Sequence, residues 1–183
     1  MSMAASQPLS ENPGLPVIVM GVSGCGKTSV GERLAQALNC RFIEGDSLHP
    51  AANIGKMSAG IPLGDDDRWP WLDIIGGLIG ESVAQGERVI VSCSALKKAY
   101  RDRLRTEAGG RLAFVFLEGS RAVFDKRMQA RAGHFMPASL LDSQFATLEP
   151  PTGERDVVTV DVDLTVDEIV TKAVAGLQDL LTR

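Results

Sequence analysis

The segment GVSGCGKT at positions 21–28 constrains the fold of this chain more than any other feature, because it matches the pattern G-x-x-x-x-G-K-[ST] in full. Before it, residues 17–20 (VIVM) form a continuous apolar run, which predicts a strand buried on both faces. After it, residues 27–38 carry apolar side chains at helical spacing. A glycine loop between a buried strand and a helix indicates a fold built from strand–loop–helix units.

The chemistry of this loop follows from its residue types. Glycines let the backbone curl so that its N–H groups point inward at phosphate oxygens, and the following helix directs its positive end at the same anion. Lys27 is expected to reach the β- and γ-phosphates of a nucleotide, and the Thr28 hydroxyl to bind Mg²⁺. The predicted nucleotide-binding residues are Gly21, Val22, Ser23, Gly24, Cys25, Gly26, Lys27, Thr28 and Ser29.

The rest of the chain alternates between strand-like and helical segments. Further strands are expected at 41–44, 88–93, 112–117 and 157–162. Helices are expected at 49–58, 71–85, 95–107, 121–131, from after a turn at 132–137 to about 148, and 166–181. Residues 60–70 are rich in Gly, Pro and Asp and are predicted to form a loop. The alternation predicts an α/β domain with a mainly parallel sheet.

Length and composition narrow the class of protein. A chain of 183 residues predicts one domain, which we expect at residues 16–183 after a flexible tail at 1–15. The net charge of −4 argues against general nucleic-acid binding, which depends on clustered basic residues. No apolar run is long enough for a membrane helix, so no membrane association is expected. The three scattered cysteines lack metal-ligand spacing and predict reduced thiols in the cytoplasm.

Other residues indicate which kind of nucleotide-binding protein this is. A guanine-reading N-K-x-D motif is absent from the sequence, which argues against a GTPase switch. The strand expected at 88–93 runs into Ser92, Cys93 and Ser94 without the acidic residue typical of motor ATPases. The short chain therefore favours a small-molecule kinase.

Such a kinase needs a carboxylate to accept or orient the acceptor hydroxyl. The second strand ends at Glu44 and Asp46, and the carboxyl ends of parallel strands lie at the same edge of the sheet as the phosphate loop. We therefore expect Asp46 to face the γ-phosphate, the alternative being a helix cap or turn residue. Glu44 is expected either near Mg²⁺ or simply in solvent.

Basic residues are candidates for holding an anionic acceptor. Arg68 follows three aspartates and suits bidentate binding of a carboxylate or phosphate. Most of the basic residues at 97–105 are expected to be solvated, but Lys98 and Arg101 are spaced i,i+3 and could bind an anion together.

The segment at about 127–140 has the features of a lid. Arg127 and Arg131 are spaced i,i+4 and precede a glycine at position 133, which predicts arginines that close over the transferring phosphate. His134 lies beside this glycine and can donate to a hydroxyl or a carboxylate.

Seven sequence blocks together resemble the bacterial-type gluconokinases of the P-loop kinase superfamily. The resemblance runs from about residue 16 to the C-terminus, and the blocks at 45–50 and 93–98 are more specific than the phosphate loop. The blocks are MGVSGCGKT (20–28), EGDSLHP (44–50), NIGKM (53–57), PLGDDDR (62–68), PWL (70–72), CSALKKAYRD (93–102) and RAGHF (131–135).

The resemblance implies a three-layer P-loop kinase fold with a five-stranded parallel sheet of order 2-3-1-4-5, a small lid and a homodimer. It implies ATP-dependent phosphorylation, with Mg²⁺, of the 6-hydroxyl of D-gluconate. Under this reading Lys27, Asp46 and Arg131 are catalytic, and Arg127 and Arg131 bind ATP. The residues expected to bind gluconate are Asp46, Lys56, Arg68, Lys98, Arg101 and His134.

Two alternatives stay open at the level of sequence. One is a related kinase with another acceptor, such as shikimate or a different sugar acid. The other is a nucleotide-binding regulator without transfer activity, which the presence of Lys27, Thr28 and Asp46 disfavours.

Overall fold

The computed structural model describes residues 14–130 and 138–183, and its centre is one parallel β-sheet. The strand order is β2-β3-β1-β4-β5, with every neighbouring pair parallel. The predicted α/β class and sheet order are therefore confirmed. The strands are β1 (Val17–Met20), β2 (Arg41–Glu44), β3 (Val89–Ser92), β4 (Ala113–Glu118) and β5 (Val157–Asp161).

Every residue of β1 and β3 is buried, which indicates that both faces of the centre of this sheet are covered. A short 3₁₀ turn at Gly45–Leu48 follows β2. The α-helices are α1 (Lys27–Ala37), α2 (Ala51–Ser58), α3 (Asp65–Ala84), α4 (Lys98–Glu107), α5 (Arg121–Ala130), α6 (Ala138–Thr147) and α7 (Val166–Leu181).

The predicted loop at 60–70 is wrong in its second half, because α3 begins at Asp65 and contains Pro70. Three aspartates in the first turn interact favourably with the positive end of the helix dipole. The Asp67 carboxylate also accepts a hydrogen bond from the backbone N–H of Gly64 at 2.9 Å. These local contacts, together with the burial of Trp71, outweigh the loop-like composition.

Helix α4 begins later than predicted. Ala95 has a φ of 45°, in the left-handed region that a helix cannot use, so residues 95–97 form a connection and α4 starts at Lys98. This connection brings Ser94 to the carboxyl edge of the sheet, where its carbonyl accepts from the N–H of Gly21 at 3.3 Å.

Three strands deliver the residues of interest to this edge. β1 leads into the phosphate loop, β2 into Glu44 and Asp46, and β3 into Ser92. Gly45 makes this convergence possible, since a Cβ atom there would lie 1.9 Å from the Ser92 carbonyl oxygen. A side chain at position 45 would push β2 away from β3.

Two sequence predictions lie largely outside the described residues. These are the flexible tail, of which only residues 14 and 15 are described, and the lid, of which residues 131–137 are not. Within the described parts of the chain, none of the helices combines the length and apolarity needed to cross a membrane.

Candidate active site

The phosphate loop joins β1 to α1, as the sequence pattern predicts. Lys27 lies back along the loop, with Nζ donating to the carbonyl oxygens of Gly21 and Val22, each at 3.1 Å. The Cys25 side chain is fully buried beneath the loop, and this burial raises the pKa of its thiol more than the nearby Lys27 lowers it. Cys25 therefore fills space and is not a reactive thiolate at neutral pH.

A chain of hydrogen bonds fixes a carboxylate beside Thr28. The Thr28 hydroxyl donates to Oε2 of Glu44, and the Ser92 hydroxyl donates to Oε1 of the same carboxylate. Ser92 in turn accepts from the N–H of Gly45 at 3.0 Å. Glu44 is thus held in place at the end of α1 that follows the phosphate loop. Hydroxyl and carboxylate oxygens are the ligands that Mg²⁺ prefers.

Asp46 lies in the 3₁₀ turn immediately after β2. Its side chain is 68% exposed, and Oδ1 lies 3.9 Å from Nε2 of His49. The carboxylate is therefore accessible to a ligand, and it shares one cleft with Lys27.

This cleft has a volume of about 540 Å³, including solvent at its mouth. Its polar wall comes from the phosphate loop, the ends of β2 and β3, and helices α3 and α6. That wall consists of Ser23, Lys27, Asp46, His49, Arg68, Ser94, Ser143 and Gln144. Apolar side chains complete the cleft: Met57, Ile61, Pro62, Leu63 and Leu140. A site with two cations, one accessible carboxylate and several hydroxyl or amide groups suits a small polar anion.

Arg68 is the cation of this cleft that is held least firmly by the protein. It is only 7% exposed, yet its hydrogen bonds are long: 3.4 Å from Nε to the Leu63 carbonyl and 3.5 Å from Nη1 to the Ser94 hydroxyl. Its guanidinium also lies 5.5 Å from the centre of the Tyr100 ring. Among the described residues, no carboxylate forms an ion pair with it. The charge of Arg68 is available to an anionic ligand.

The two α4 residues predicted to bind an anion together have different surroundings in the structure. Arg101 is fully buried and donates to the carboxylate of Glu154 and to the carbonyls of Ala95, Leu96 and Glu149. Lys98 is mainly exposed and pairs with Asp102 at 2.6 Å. The two side chains differ in burial and in partners, and neither lines the cleft.

Lys56 also has a partner within the protein. Its Nζ donates to both carboxylate oxygens of Asp67, at 2.7 and 2.9 Å, which ties α2 to the first turn of α3. It is not among the residues that line the cleft.

The lid residues are only partly described. Arg127, near the end of α5, donates through Nη1 to the Cys25 carbonyl at 3.4 Å and through Nη2 to the Val162 carbonyl, so it lies against the phosphate loop. Arg131 and His134 lie outside the described residues. Ser29, in α1, is exposed.

Sequence reasoning missed Gln144, whose Oε1 accepts from the N–H of Ser23 in the phosphate loop at 2.7 Å. The two residues are 121 positions apart, and no local pattern connects them. It also gave no role to His49 and Ser94, although both lie in blocks on which the family resemblance rests.

A parallel sheet of order 2-3-1-4-5 with a phosphate loop and an acceptor cleft at its carboxyl edge defines the chain as a P-loop kinase. Residues 17–151 match the family model described as AAA domain. The chain is 48% identical over 147 residues to the thermosensitive gluconokinase of Escherichia coli, covering 80% of this chain and 78% of that one. It is 44% identical over 162 residues to the gluconokinase of Gluconobacter oxydans, covering 88% and 90%. The chain therefore belongs to the AAA-domain family and, among the P-loop kinases, to the gluconokinase family.

A solved structure supports the same assignment. The crystal structure of a gluconokinase from Sinorhizobium meliloti is 60% identical to this chain and superposes with a TM-score of 0.82. The superposition covers 92% of this chain and 93% of the other, so the likeness extends well beyond the phosphate loop.

Proposed function

We propose that this protein is a gluconokinase, which transfers the γ-phosphate of ATP to the 6-hydroxyl of D-gluconate and releases ADP and 6-phospho-D-gluconate. The observation that carries the proposal is the cleft in which Lys27, Asp46 and Arg68 lie together. Relatives named gluconokinases, 44–48% identical over most of both chains, support the choice of substrate.

The chemistry assigns a role to each of these residues. The 6-hydroxyl oxygen forms a bond to the γ-phosphorus while the bond from that phosphorus to the β–γ bridging oxygen breaks. Asp46 orients the hydroxyl and accepts its proton. Lys27 turns from the loop carbonyls to the phosphates and offsets their charge. Arg68 binds the carboxylate of gluconate.

The phosphate loop and Arg127 support ATP binding, because the loop N–H groups and this guanidinium lie at the same edge. Arg131 and His134 stay predictions for the lid. Lys56, Lys98 and Arg101 have no part in the proposed site, since each has a carboxylate partner elsewhere.

We also propose that the reaction uses Mg²⁺, held by Thr28 with Glu44 beside it. The oxygen donors of this pair fit the ion, which typically keeps several waters and takes few protein ligands. When bound, Mg²⁺ neutralises charge on the transferring phosphate.

The family resemblance further supports a homodimer, and free Cys25, Cys40 and Cys93 support a reducing, cytoplasmic location.

The test is a coupled assay of ADP release with Mg-ATP and a panel of acceptors. The panel contains D-gluconate, shikimate, other aldonates, AMP and a blank without acceptor. We expect strong turnover with D-gluconate. Turnover with another acceptor would replace the substrate assignment, and ATP binding without turnover would favour a regulator.

Asp46→Asn tests the proposed base in the same assay. Loss of a positioned general base lowers kcat by about 10²–10⁴-fold. Because the side chain is exposed, ATP binding and melting temperature are expected to be unchanged. Retention of kcat in this variant would contradict the role given to Asp46.

A further inference from the structure

His49 is a buried histidine that the reaction described above leaves without a role. Its side chain is only 3% exposed, and its ring is stacked on Trp71 with 4.0 Å between centroids and 17° between planes. Trp71 is itself fixed, because its Nε1–H donates to the Gly45 carbonyl at 2.8 Å. The turn that carries Asp46 and the ring of His49 are therefore held by one tryptophan.

The protonation of this ring can be deduced from Asn53. The Nδ2 atom of Asn53 lies 2.8 Å from the Asp67 carbonyl oxygen, which can only accept, so Nδ2 is correctly assigned as a donor. The same Nδ2 lies 3.2 Å from Nδ1 of His49. An amide nitrogen donates, so Nδ1 must accept and cannot carry a proton. The proton of the neutral ring is then on Nε2.

The environment keeps this ring neutral. Burial lowers the pKa of His49 below its ordinary value of 6.5, and the charge of Arg68 lowers it further, while Asp46 opposes the shift more weakly than burial. At neutral pH the ring is then an uncharged donor, and its single N–H is on the nitrogen that lies 3.9 Å from Oδ1 of Asp46.

We propose that His49, held by Asn53 as the Nε2–H tautomer, is a positioning residue that orients the Asp46 carboxylate for the acceptor hydroxyl. Nε2 lies 3.9 Å from Oδ1 of Asp46. This separation is longer than a hydrogen bond, and such contacts tighten when substrate binds. The proposal rests on the function proposed above, since it requires Asp46 to act on the hydroxyl.

A neutral donor suits this task better than a cation. It fixes one carboxylate oxygen and leaves the other free to accept from the substrate. A lysine or arginine at the same place would stabilise the charged carboxylate strongly and weaken it as a base. The stack on Trp71 supplies rigidity without charge.

The tautomer is tested directly by ¹⁵N–¹H correlation spectra of the imidazole rings of the whole chain. There are two histidines in the sequence, so the spectrum of His134→Gln identifies the signals of His49. We expect a protonated Nε2 and an unprotonated Nδ1 at pH 7. A protonated Nδ1 would overturn the proposal.

The role is tested by kinetics with two matched variants. His49→Phe keeps a ring to stack on Trp71 but lacks the donor, whereas His49→Gln keeps a donor of similar reach. Loss of a hydrogen bond to a charged group corresponds to about 10–100-fold in rate. We therefore expect kcat to fall by about 10–100-fold in His49→Phe and to be largely retained in His49→Gln, with the KM for ATP unchanged in both.

The same substitution is then made in the Asp46→Asn background, with rates measured in single turnovers at high enzyme concentration. If His49 acts through Asp46, His49→Phe causes no further loss there. An equal loss in both backgrounds, or an unchanged kcat in His49→Phe, would overturn the positioning role. Failure of the proposed function has a different signature, because the unaltered enzyme would then not turn over gluconate, or Asp46→Asn alone would retain full activity.

Discussion

Arg68 and Arg101 are both almost completely buried, but they differ in what holds their charge. Arg101 donates to the Glu154 carboxylate, at 2.6 Å for the shortest contact, and to three carbonyls. Its five N–H groups are all engaged. Arg68 has two long contacts, to a carbonyl and a hydroxyl, and no ion pair within the described parts of the chain.

This difference matches the roles we propose, a structural charge for Arg101 and a substrate-binding charge for Arg68. A buried ion incurs a large desolvation cost, which the protein offsets for Arg101 with its own carboxylate. For Arg68 the described part of the protein offers only two long hydrogen bonds, and under the proposed function the carboxylate of gluconate supplies the rest. Burial alone therefore does not distinguish the two roles. The number and length of the hydrogen bonds and ion pairs do distinguish them.

Arg101 still acts on the cleft indirectly. Its Nη1 donates to the carbonyls of Ala95 and Leu96, at 2.8 and 3.2 Å. Ala95 has a left-handed backbone conformation, and the preceding Ser94 lines the cleft. Arg101 thus stabilises the unusual connection that positions Ser94.

The largest expected effect is the loss of unfolding free energy in Arg101→Met. This substitution removes the fully buried half of the ion pair with Glu154, which then keeps only Arg105 among its described partners, and it leaves the carbonyls of Ala95, Leu96 and Glu149 without this donor. Breaking a buried ion pair costs about 3–5 kcal/mol, and we expect the lower end of that range because Arg105 stays in place. Urea unfolding monitored by circular dichroism should show a loss of this size. Normal stability with a raised KM for gluconate would mean that Arg101 is a binding residue after all.

Arg68→Met should show the opposite pattern. We expect kcat/KM for gluconate to fall by about 100-fold, through a raised KM, because the substrate carboxylate loses its charged partner. The melting temperature should stay close to that of the unaltered protein, since the contacts of Arg68 within the protein are weak. Initial-rate kinetics with varied gluconate tests the expected rise in KM, and thermal unfolding tests the unchanged melting temperature. Arg68→Lys keeps the charge but lacks the planar guanidinium. Its kcat/KM for gluconate should lie between the values for the unaltered protein and for Arg68→Met.

Acid should remove part of the stability that the arginine partners of Glu154 provide. Burial by itself would raise the pKa of the Glu154 carboxyl, but hydrogen bonds from Arg101 and Arg105 outweigh it and the pKa is lowered. A carboxyl with a lowered folded-state pKa stabilises the protein above its unfolded value, here 4.5, and that stability is lost as the pH falls below it.

Glu154→Gln isolates this contribution. At pH 7 the variant should be less stable than the unaltered protein, and the difference should shrink as the pH falls below about 4.5. Unfolding free energies measured in urea between pH 7 and pH 3 give the comparison. A difference that is constant with pH would exclude the charge of Glu154 as its source.

Lys98→Ala should have the smallest effect. The Lys98–Asp102 pair is exposed, and such pairs contribute at most about 1 kcal/mol. We expect kcat, the KM for gluconate and the melting temperature all to be nearly unchanged. A clear rise in KM would restore the role that the sequence resemblance gives to this lysine.

The phosphate loop, the edge of the sheet that carries the site and the strand order could all be predicted from the sequence. The phosphate loop is a contiguous pattern whose function depends on backbone N–H groups, so it was predictable from eight residues. The sheet edge shared by Asp46 and the loop follows from parallel strands, and the strand order followed from the family resemblance. Helix α3 was harder, because its aspartate-rich first turn resembles a loop in composition.

Only the tertiary structure decided which basic residues face the cleft. On α4, Lys98 and Arg101 are three positions apart, and periodicity cannot tell which of them packs inward against the carboxylate of Glu154. The contact of Gln144 with Ser23 and the tautomer of His49 likewise depend on residues brought together by folding. The physical reason is that a charged side chain has the same chemistry in either role, and its role depends on whether the folded chain supplies a partner.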